Sequence, residues 1–176
     1  VTSIGSFTFY GCTALKSIKI PNSVTSIDSY AFYNCQALTS IEIPSSVTYI
    51  GNYAFINCDS LNTVCVCNSS IDSSNFKISY SGNDTLPENI FYFDETTGTI
   101  TKYVGSATEL VIPSEINGVK VTTLDSQSFK DCTSLTSVTI PSSITTVGTN
   151  AFTGCSNLNT IYVYNDSNNI DSSNFN

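Results

Sequence analysis

Residues 24–46 read VTSIDSYAFYNCQALTSIEIPSS, and this stretch decides the fold because it is one copy of a repeat. The same template occurs without gaps at residues 1–23 and 47–69, and it returns at residues 121–143 and from residue 144 onward. Self-similarity at a fixed short period is the signature of a solenoid, in which each coil packs only against its neighbours. We therefore expect a stack of coils that share one continuous core.

Each copy of the template contains a short segment in which apolar and polar residues alternate. In the first copy Ile18 and Ile20 alternate with Ser17 and Lys19, and a period of two puts the isoleucines on one face of a strand. Strands at the same place in successive coils are expected to pair as a parallel sheet. In the second copy the remaining core positions are Val24, Ile27, Phe32 and Leu38.

Two columns of the template contain only residues that tolerate a positive φ. The first column is Gly5, Asp28, Gly51, Asp125 and Gly148. The second column is Gly11, Asn34, Asn57, Asp131 and Gly154. We expect both columns to mark corners of the coil. The segment between them is too short for a stable helix, so a single helical or 3-10 turn is predicted on the convex side.

The repeat is interrupted between residue 70 and about residue 110. Within the interruption, Ile90–Phe93 and Thr99–Val104 are β-prone runs joined by the glycine-containing segment Asp94–Gly98. This pattern predicts a β-hairpin, which we expect to cap the array that follows it.

A short motif suggests where one array ends and the next module begins. Residues 71–76 and residues 170–175 both read IDSSNF, and each copy follows the last strand of an array. We therefore predict a first array at residues 1–76, and a hairpin cap with a second array at residues 77–176. The alternative, one continuous superhelix with an insertion, stays open.

The pattern A-F-x-x-C-x-x-L-x-x-I-x-I-P at Ala31–Pro44 resembles the BspA-type leucine-rich repeat of bacterial surface proteins. This resemblance implies an α/β, mostly β fold, a leucine-rich-repeat right-handed solenoid with short parallel strands. The asparagine ladder of better-known leucine-rich repeats is absent, and serines stand near its place. Members of the family are typically secreted or wall-bound and implicated in adhesion. The resemblance thus implies an extracellular or cell-surface module that adheres to host matrix proteins, glycans or other cells. The alternative is a structural spacer without a ligand of its own.

The charge balance restricts the class of partner. The chain has 14 acidic residues against 6 basic ones, a formal net charge of −8, which argues against nucleic acid and anionic membranes. No apolar run is long enough to insert in a membrane. We expect an extracellular protein or glycan as ligand. We interpret the chain as a fragment, monomeric in that form, whose targeting and anchoring signals lie outside it.

Catalysis is not expected, since the chain has no histidine. This excludes the familiar nucleophile–base pairs and histidine-containing metal sites. We therefore predict neither an enzyme nor a cofactor nor a metal.

The cysteines divide into a ladder and an isolated pair. Five of them share one template column, which predicts buried small side chains: Cys12, Cys35, Cys58, Cys132 and Cys155. Cys65 and Cys67 stand elsewhere in the template, and strand alternation places both on the exposed face. We expect these two to be the accessible thiols.

Two sets of residues are candidates for ligand contact. On the strand face the most variable column contains Lys19, Glu42, Thr139 and Tyr162, and solenoids usually bind ligands on such a surface. On the turn side, the first array carries stacked aromatic positions that the second array lacks, among them Tyr30, Tyr53 and Tyr33. These aromatics either bind a ligand or simply brace neighbouring coils.

Overall fold

The computed structural model of the chain describes residues 1–79, 85–164, 170 and 175. The chain divides into two compact units, Val1–Ile90 and Phe91–Asn176. The boundary drawn from the sequence, between residues 76 and 77, concerns the repeat modules and stays a prediction.

Short strands are the main regular elements. The first five are β1 (Ser3–Ile4), β2 (Ser26–Ile27), β3 (Ser40–Ile43), β4 (Tyr49–Ile50) and β5 (Thr63–Val66), followed by a 3-10 helix at Ser73–Phe76. The next five are β6 (Asn89–Asp94), β7 (Thr99–Gly105), β8 (Glu109–Val111), β9 (Glu115–Ile116) and β10 (Val119–Lys120). The last four are β11 (Thr123–Leu124), β12 (Ser137–Ile140), β13 (Thr146–Val147) and β14 (Thr160–Val163).

In the first unit, strands at the same template position pair in parallel and in register. Strands β1, β2 and β4 form one sheet, in which Ile4 aligns with Ile27 and Ile27 with Ile50. Strand β3 pairs with β5, so that Ile41 aligns with Val64. All five of these apolar side chains are buried. The predicted solenoid of short parallel strands is therefore confirmed.

The second unit repeats this arrangement and contains two hairpins. Strand β11 lies between β7 and β13, and β12 lies between β8 and β14, all in parallel. Strands β6 and β7 are neighbours joined by a turn, as the sequence predicts. Because β7 pairs with β11, this half of the hairpin covers one end of the second stack. The extra residues before β11 form a smaller antiparallel hairpin, β9–β10, around Asn117 and Gly118, which both have positive φ.

Aromatic rings stack through the centre of both units. In the first unit, successive ring centroids are 5.1 to 5.7 Å apart along Phe9, Phe32, Phe55 and Phe76. In the second unit they are 4.9 to 5.5 Å apart along Tyr103, Phe129, Phe152 and Phe175. The IDSSNF motif therefore supplies the last ring of each ladder. Asp72 caps the 3-10 helix that carries Phe76, by accepting a hydrogen bond from the Ser74 amide at 2.8 Å. Residues 171–174 of the second copy lie outside the described residues.

The convex side differs from the prediction in its local form. It consists of successive hydrogen-bonded turns: the Ala31 amide donates to the Asp28 carbonyl (3.2 Å) and the Tyr33 amide to the Tyr30 carbonyl (3.1 Å). In the first of these two turns the third residue takes a positive φ, as the third residue of a type II turn does. Tyr30 occupies that place with φ 60°, whereas Asp28 is the first residue of the turn.

The expectation of a positive φ was therefore wrong for the first corner column and right for the second. Positive φ falls two residues after the first column, at Phe7, Tyr30, Tyr53, Gln127 and Asn150. All five residues of the second column have positive φ, as expected.

Side chains complete the hydrogen bonding between coils where the asparagine ladder is missing. The Ser23 hydroxyl donates to the Val1 carbonyl at 2.9 Å, and the Ser46 hydroxyl donates to the Val24 carbonyl at 2.7 Å. In the third coil, Asn68 donates to the carbonyls of Ser45 and Val47. These bonds satisfy backbone acceptors that the turn leaves without a backbone partner.

The buried leucine column gives the first test of the register. Leu38 is fully buried, so Leu38→Ala should lower the free energy of unfolding by about 2 to 5 kcal/mol. Gln36→Ala, an exposed change in the same coil, should stay within about 0.5 kcal/mol. Urea titration followed by circular dichroism measures both. Equal effects of the two substitutions would contradict the assigned core.

Gly51 tests how closely the coils approach. A Cβ at Gly51 would lie 2.3 Å from the Ser29 amide nitrogen, whereas a Cβ at Gly5 would meet nothing closer than the Thr8 hydroxyl at 3.6 Å. Gly51→Ala should therefore cost about 1 to 3 kcal/mol of stability through overpacking, and Gly5→Ala should be tolerated. Thermal melts of the two variants make the comparison.

Candidate interaction surfaces

The strand face of the first unit brings its predicted site residues together. Lys19 is aligned with Glu42 across neighbouring coils, and Glu42 is aligned with Cys65. Lys19 is exposed and Glu42 is half-buried. A shallow depression of about 250 Å³ lies between these coils, lined by Ser17, Ile18, Lys19, Ser40, Ile41 and Glu42. The surface therefore presents a cation and an anion side by side.

The exposed cysteine pair was wrongly predicted. Cys65 is only 6 % exposed and Cys67 only 9 %. Burial raises the pKa of Cys65 to about 12, and the neighbouring charge of Glu42 acts in the same direction. Alternation fails here because strand β5 is buried on both faces from Val64 onward. The small Cys65 side chain is shielded beside the longer Glu42.

The strand face of the second unit carries a different line of side chains. Val111 on β8 aligns with Thr139 on β12, and Thr139 aligns with Tyr162 on β14. Val111 is 70 % exposed and Tyr162 is 53 % exposed. The sequence analysis missed Val111 because it falls where the period is broken. The strand motif at residues 110–113 was the signal that could have added it to the column.

Five aromatic residues form one contiguous surface on the turn side of the first unit. We call this surface the aromatic plate: Phe7, Tyr10, Tyr30, Tyr33 and Tyr53. Along the stack, ring centroids are 5.1 Å apart for Phe7–Tyr30, 5.4 Å for Tyr30–Tyr53 and 4.9 Å for Tyr10–Tyr33. Between the two columns, Phe7 contacts Tyr10 and Tyr30 contacts Tyr33 at 5.8 and 5.9 Å.

The plate is partly exposed, and its backbone is strained. Phe7, Tyr10 and Tyr53 are 54 %, 55 % and 47 % exposed. Phe7, Tyr30 and Tyr53 hold φ near +60°, a region that bulky side chains rarely adopt and that costs roughly 1 to 2 kcal/mol per residue. The corresponding turn positions of the second unit hold Gln127 and Asn150.

The predicted burial of the cysteine ladder is confirmed for Cys35, Cys58 and Cys132, whereas Cys12 and Cys155 are only half-buried. All seven cysteines lie in the described residues, and none of them forms a disulfide. The Cys35 thiol donates to the Phe9 carbonyl (3.2 Å) and the Cys58 thiol to the Phe32 carbonyl (3.1 Å). Burial raises the pKa of Cys35 to about 11 and that of Cys58 to about 12.

The second half of the ladder contains a thiol pair with opposite pKa shifts. A hydrogen bond between the Cys132 and Cys155 side chains, together with burial, raises the pKa of Cys132 far above its usual value. The same hydrogen bond lowers the pKa of Cys155 to about 7. Cys155 is also half-exposed, whereas Cys132 is buried.

The described part of the chain contains no cluster of cysteine and carboxylate side chains that could hold a metal ion. Within the same residues, no helix has the length and apolar character needed to cross a membrane. The strand faces and the aromatic plate expose aromatic, charged and small polar side chains on two sides of the coil.

Comparison with known proteins assigns the repeat. The family model for the BspA type leucine rich repeat region matches residues 1–99 and 99–176, in 6 copies. The chain belongs to this family. No protein in the curated set matches the chain by sequence.

Solved structures similar to this BspA-type protein are bacterial leucine-rich repeat proteins. A leucine rich cell surface protein from Faecalibacterium prausnitzii A2-165 is 29 % identical with a TM-score of 0.41, over 92 % of this chain and 39 % of its own. The T. pallidum leucine rich repeat protein is 25 % identical with a TM-score of 0.36, over 92 % of this chain and 63 % of its own. The BspA-type chain thus spans less than two thirds of either protein.

Family membership fixes the general role of the BspA-type chain. It is a protein-interaction repeat module, and repeat families of this kind are typically non-enzymatic binding modules. The choice between the strand faces and the aromatic plate, and the identity of the partner, are matters of proposal.

Thiol labelling tests the corrected cysteine placement. At pH 8, Cys155 should react first because it is half-exposed and its pKa of about 7 makes it mostly thiolate. Cys12, which is also half-exposed, should follow, and Cys65 should stay unmodified. Mass spectrometry of labelled peptides identifies the sites, and labelling in urea provides the control for complete reaction. Rapid labelling of Cys65 in the native protein would contradict its burial.

Proposed function

We propose that this chain is the ligand-binding part of an extracellular or cell-surface protein and that it acts in adhesion to a protein partner. The proposed location rests on membership of the BspA-type family, because the resemblance to that family implies a secreted or wall-bound protein. The observation that carries the binding role is the aromatic plate, which is contiguous, partly exposed and, among the described residues, present in the first unit alone.

Bracing of the coils is a weaker explanation of the plate. The inner ladder of Phe9, Phe32 and Phe55 already stacks through the same coils at 5.1 and 5.4 Å. The second unit has an inner ladder as well, but it has polar residues, Gln127 and Asn150, at turn positions of the plate. A fold that forms without the plate does not need it for bracing.

Backbone strain supports a selected role for these rings. Phe7, Tyr30 and Tyr53 stand at turn positions where glycine or asparagine fits at lower cost. Strained residues that persist in a fold are concentrated at functional sites. Large, rigid aromatic side chains provide much contact area at low entropic cost, which suits a binding surface.

The orientation of the rings favours a protein over a glycan as partner. Tyr10 and Tyr33 are parallel within 4°, and Phe7 and Tyr30 within 3°. Parallel stacking turns ring faces toward each other and leaves ring edges toward solvent, while the Tyr33 hydroxyl accepts a hydrogen bond from the Asn57 side-chain amide at 3.2 Å. Sugar rings pack on aromatic faces, whereas protein surfaces contact edges and hydroxyls equally well.

The strand faces are the second candidate surface. Lys19 and Glu42 in the first unit, and Thr139 and Tyr162 in the second, lie in register within their own sheets. If the chain is instead a structural spacer, neither surface matters and only the length of the stack does.

Direct binding with matched variants tests the proposal. The monomeric fragment is assayed by surface plasmon resonance against a panel of extracellular-matrix proteins and glycans. The plate variant Tyr30→Gln/Tyr53→Asn copies the residues that the second unit uses at those positions. We expect it to weaken a saturable protein interaction by at least tenfold, while Lys19→Ser/Glu42→Ser changes it less.

The plate variant should fold normally, which makes the comparison meaningful. Loss of ring stacking costs about 0.5 to 1.5 kcal/mol per pair. Relief of strain returns roughly 1 to 2 kcal/mol at Tyr53→Asn alone, because glutamine, like tyrosine, has a Cβ and is not favoured at positive φ. Circular dichroism should therefore stay close to that of the parent chain, with only a modest loss of stability in urea. If Lys19→Ser/Glu42→Ser weakens binding more than the plate variant does, the binding site lies on the strand face. If the fragment binds nothing in the panel, the spacer is favoured.

A further inference from the structure

Strand β8 has an edge without a strand partner. Among the described residues it pairs with β12 alone, at the end of the sheet β14–β12–β8. It lies in the interior of the sequence, so its open edge does not depend on where the chain begins or ends. Natural proteins usually cover or blunt such edges, because an unpaired strand is a template for another chain.

The hydrogen bonds to β12 show which backbone groups face outward. The Ser137 amide donates to the Thr108 carbonyl at 3.2 Å, and the Ile112 amide donates to the Thr139 carbonyl at 3.0 Å. In a strand of a parallel sheet, the N–H and C=O groups of one residue point to one edge and those of the next residue point to the other edge. The N–H and C=O groups of Glu109 and Val111 therefore point to the open edge.

The side chains at this edge are exposed as well. Val111 is 70 % exposed and Glu109 is exposed, while Leu110 between them is 4 % exposed and belongs to the core. Glu109 and Val111 thus lie on the same face, beside four backbone groups that have no hydrogen-bond partner in the described residues. An apolar side chain and a carboxylate frame the edge.

We propose that β8 is a docking site for an extended polypeptide segment, which adds to the sheet as a further strand. Alternating backbone donors and acceptors match an extended peptide main chain. Glu109 selects a lysine or arginine at the adjacent position, and Val111 accepts an apolar side chain two residues later. The net charge of −8 favours the same basic partner. This docking mode needs neither the aromatic plate nor the Lys19–Glu42 surface.

The probe is a peptide built from the strand that β8 already pairs with. The acetylated and amidated peptide TKVVIP copies residues 136–141, with lysine at the position of Ser137 and valine at the position of Thr139. Amide hydrogen exchange of the whole chain is followed by NMR. Without peptide, the Val111 amide should exchange rapidly and the Ile112 amide slowly. At saturating peptide, protection of Val111 should rise at least tenfold, with Ile112 unchanged.

Two peptide variants separate strand addition from contact through side chains alone. Each variant is N-methylated at every second amide. One variant, or phase, carries the methyl groups at odd positions and the other carries them at even positions. A strand that adds to β8 uses one of its edges, so one phase should abolish protection of Val111 and the other should retain it. Equal binding in both phases would overturn the proposal.

A change in the protein completes the test. Val111→Pro removes the N–H that points to the open edge, and proline is tolerated on edge strands. It should weaken peptide binding at least tenfold, while continued protection of Ile112 shows that β8 remains paired. Glu109→Gln should weaken binding of the lysine peptide, and the effect should shrink at high salt.

Other outcomes contradict the proposed occupant. If the peptide does not protect Val111, the edge is not a docking site for such a segment. If Val111 protection rises with protein concentration in the absence of peptide, a second copy of the chain occupies the edge. Either outcome leaves the plate variant of the adhesion assay unaffected, so failure here and failure of the adhesion proposal are distinguishable.

Discussion

Everything in this protein depends on the requirement that each coil return its backbone to hydrogen-bonding distance of the coil before it. Neighbouring strands lie about 4.8 Å apart, and this spacing recurs in every column of side chains. Phenylalanines stack on phenylalanines at about 5 Å, and thiols bond to carbonyls of the adjacent coil. A residue type that is repeated in the sequence therefore becomes a continuous ladder. The same constraint explains why a Cβ at Gly51 would clash with the Ser29 backbone of the adjacent coil.

The turns show how a structural constraint and a functional surface can share one position. The first convex turn of each coil takes a positive φ at its third residue, and in the second unit this residue is Gln127 or Asn150. The first unit places Phe7, Tyr30 and Tyr53 there and accepts the cost in backbone strain. Stacking offsets part of that cost, and the binding role proposed for the exposed rings accounts for the remainder.

The interruption of the repeat breaks the sequence period and also leaves an exposed strand edge. The period is lost around β6 and β7, and the stack that begins at β8 has an edge that no described strand covers. Glu109 and Val111 border this edge, and neither belongs to a regular copy of the template. In our proposals, this departure from the repeat engages another chain, in addition to the regular faces of the coils.

The sequence alone determined the coil, its core and its parallel strands, because a gapless period places equivalent residues in register whatever their surroundings. It also determined the β6–β7 hairpin and the inward ladder of Cys35 and Cys58, through local turn residues and column identity. Only the tertiary structure decided which turn residue takes positive φ, since that depends on hydrogen bonds between turn residues. It also decided that Cys65 and Cys67 are buried and that Val111 is exposed. For the two cysteines, strand alternation gives the direction of a side chain, but burial depends on what lies beside it in neighbouring coils. For Val111, the period gives no information about the segment that interrupts it.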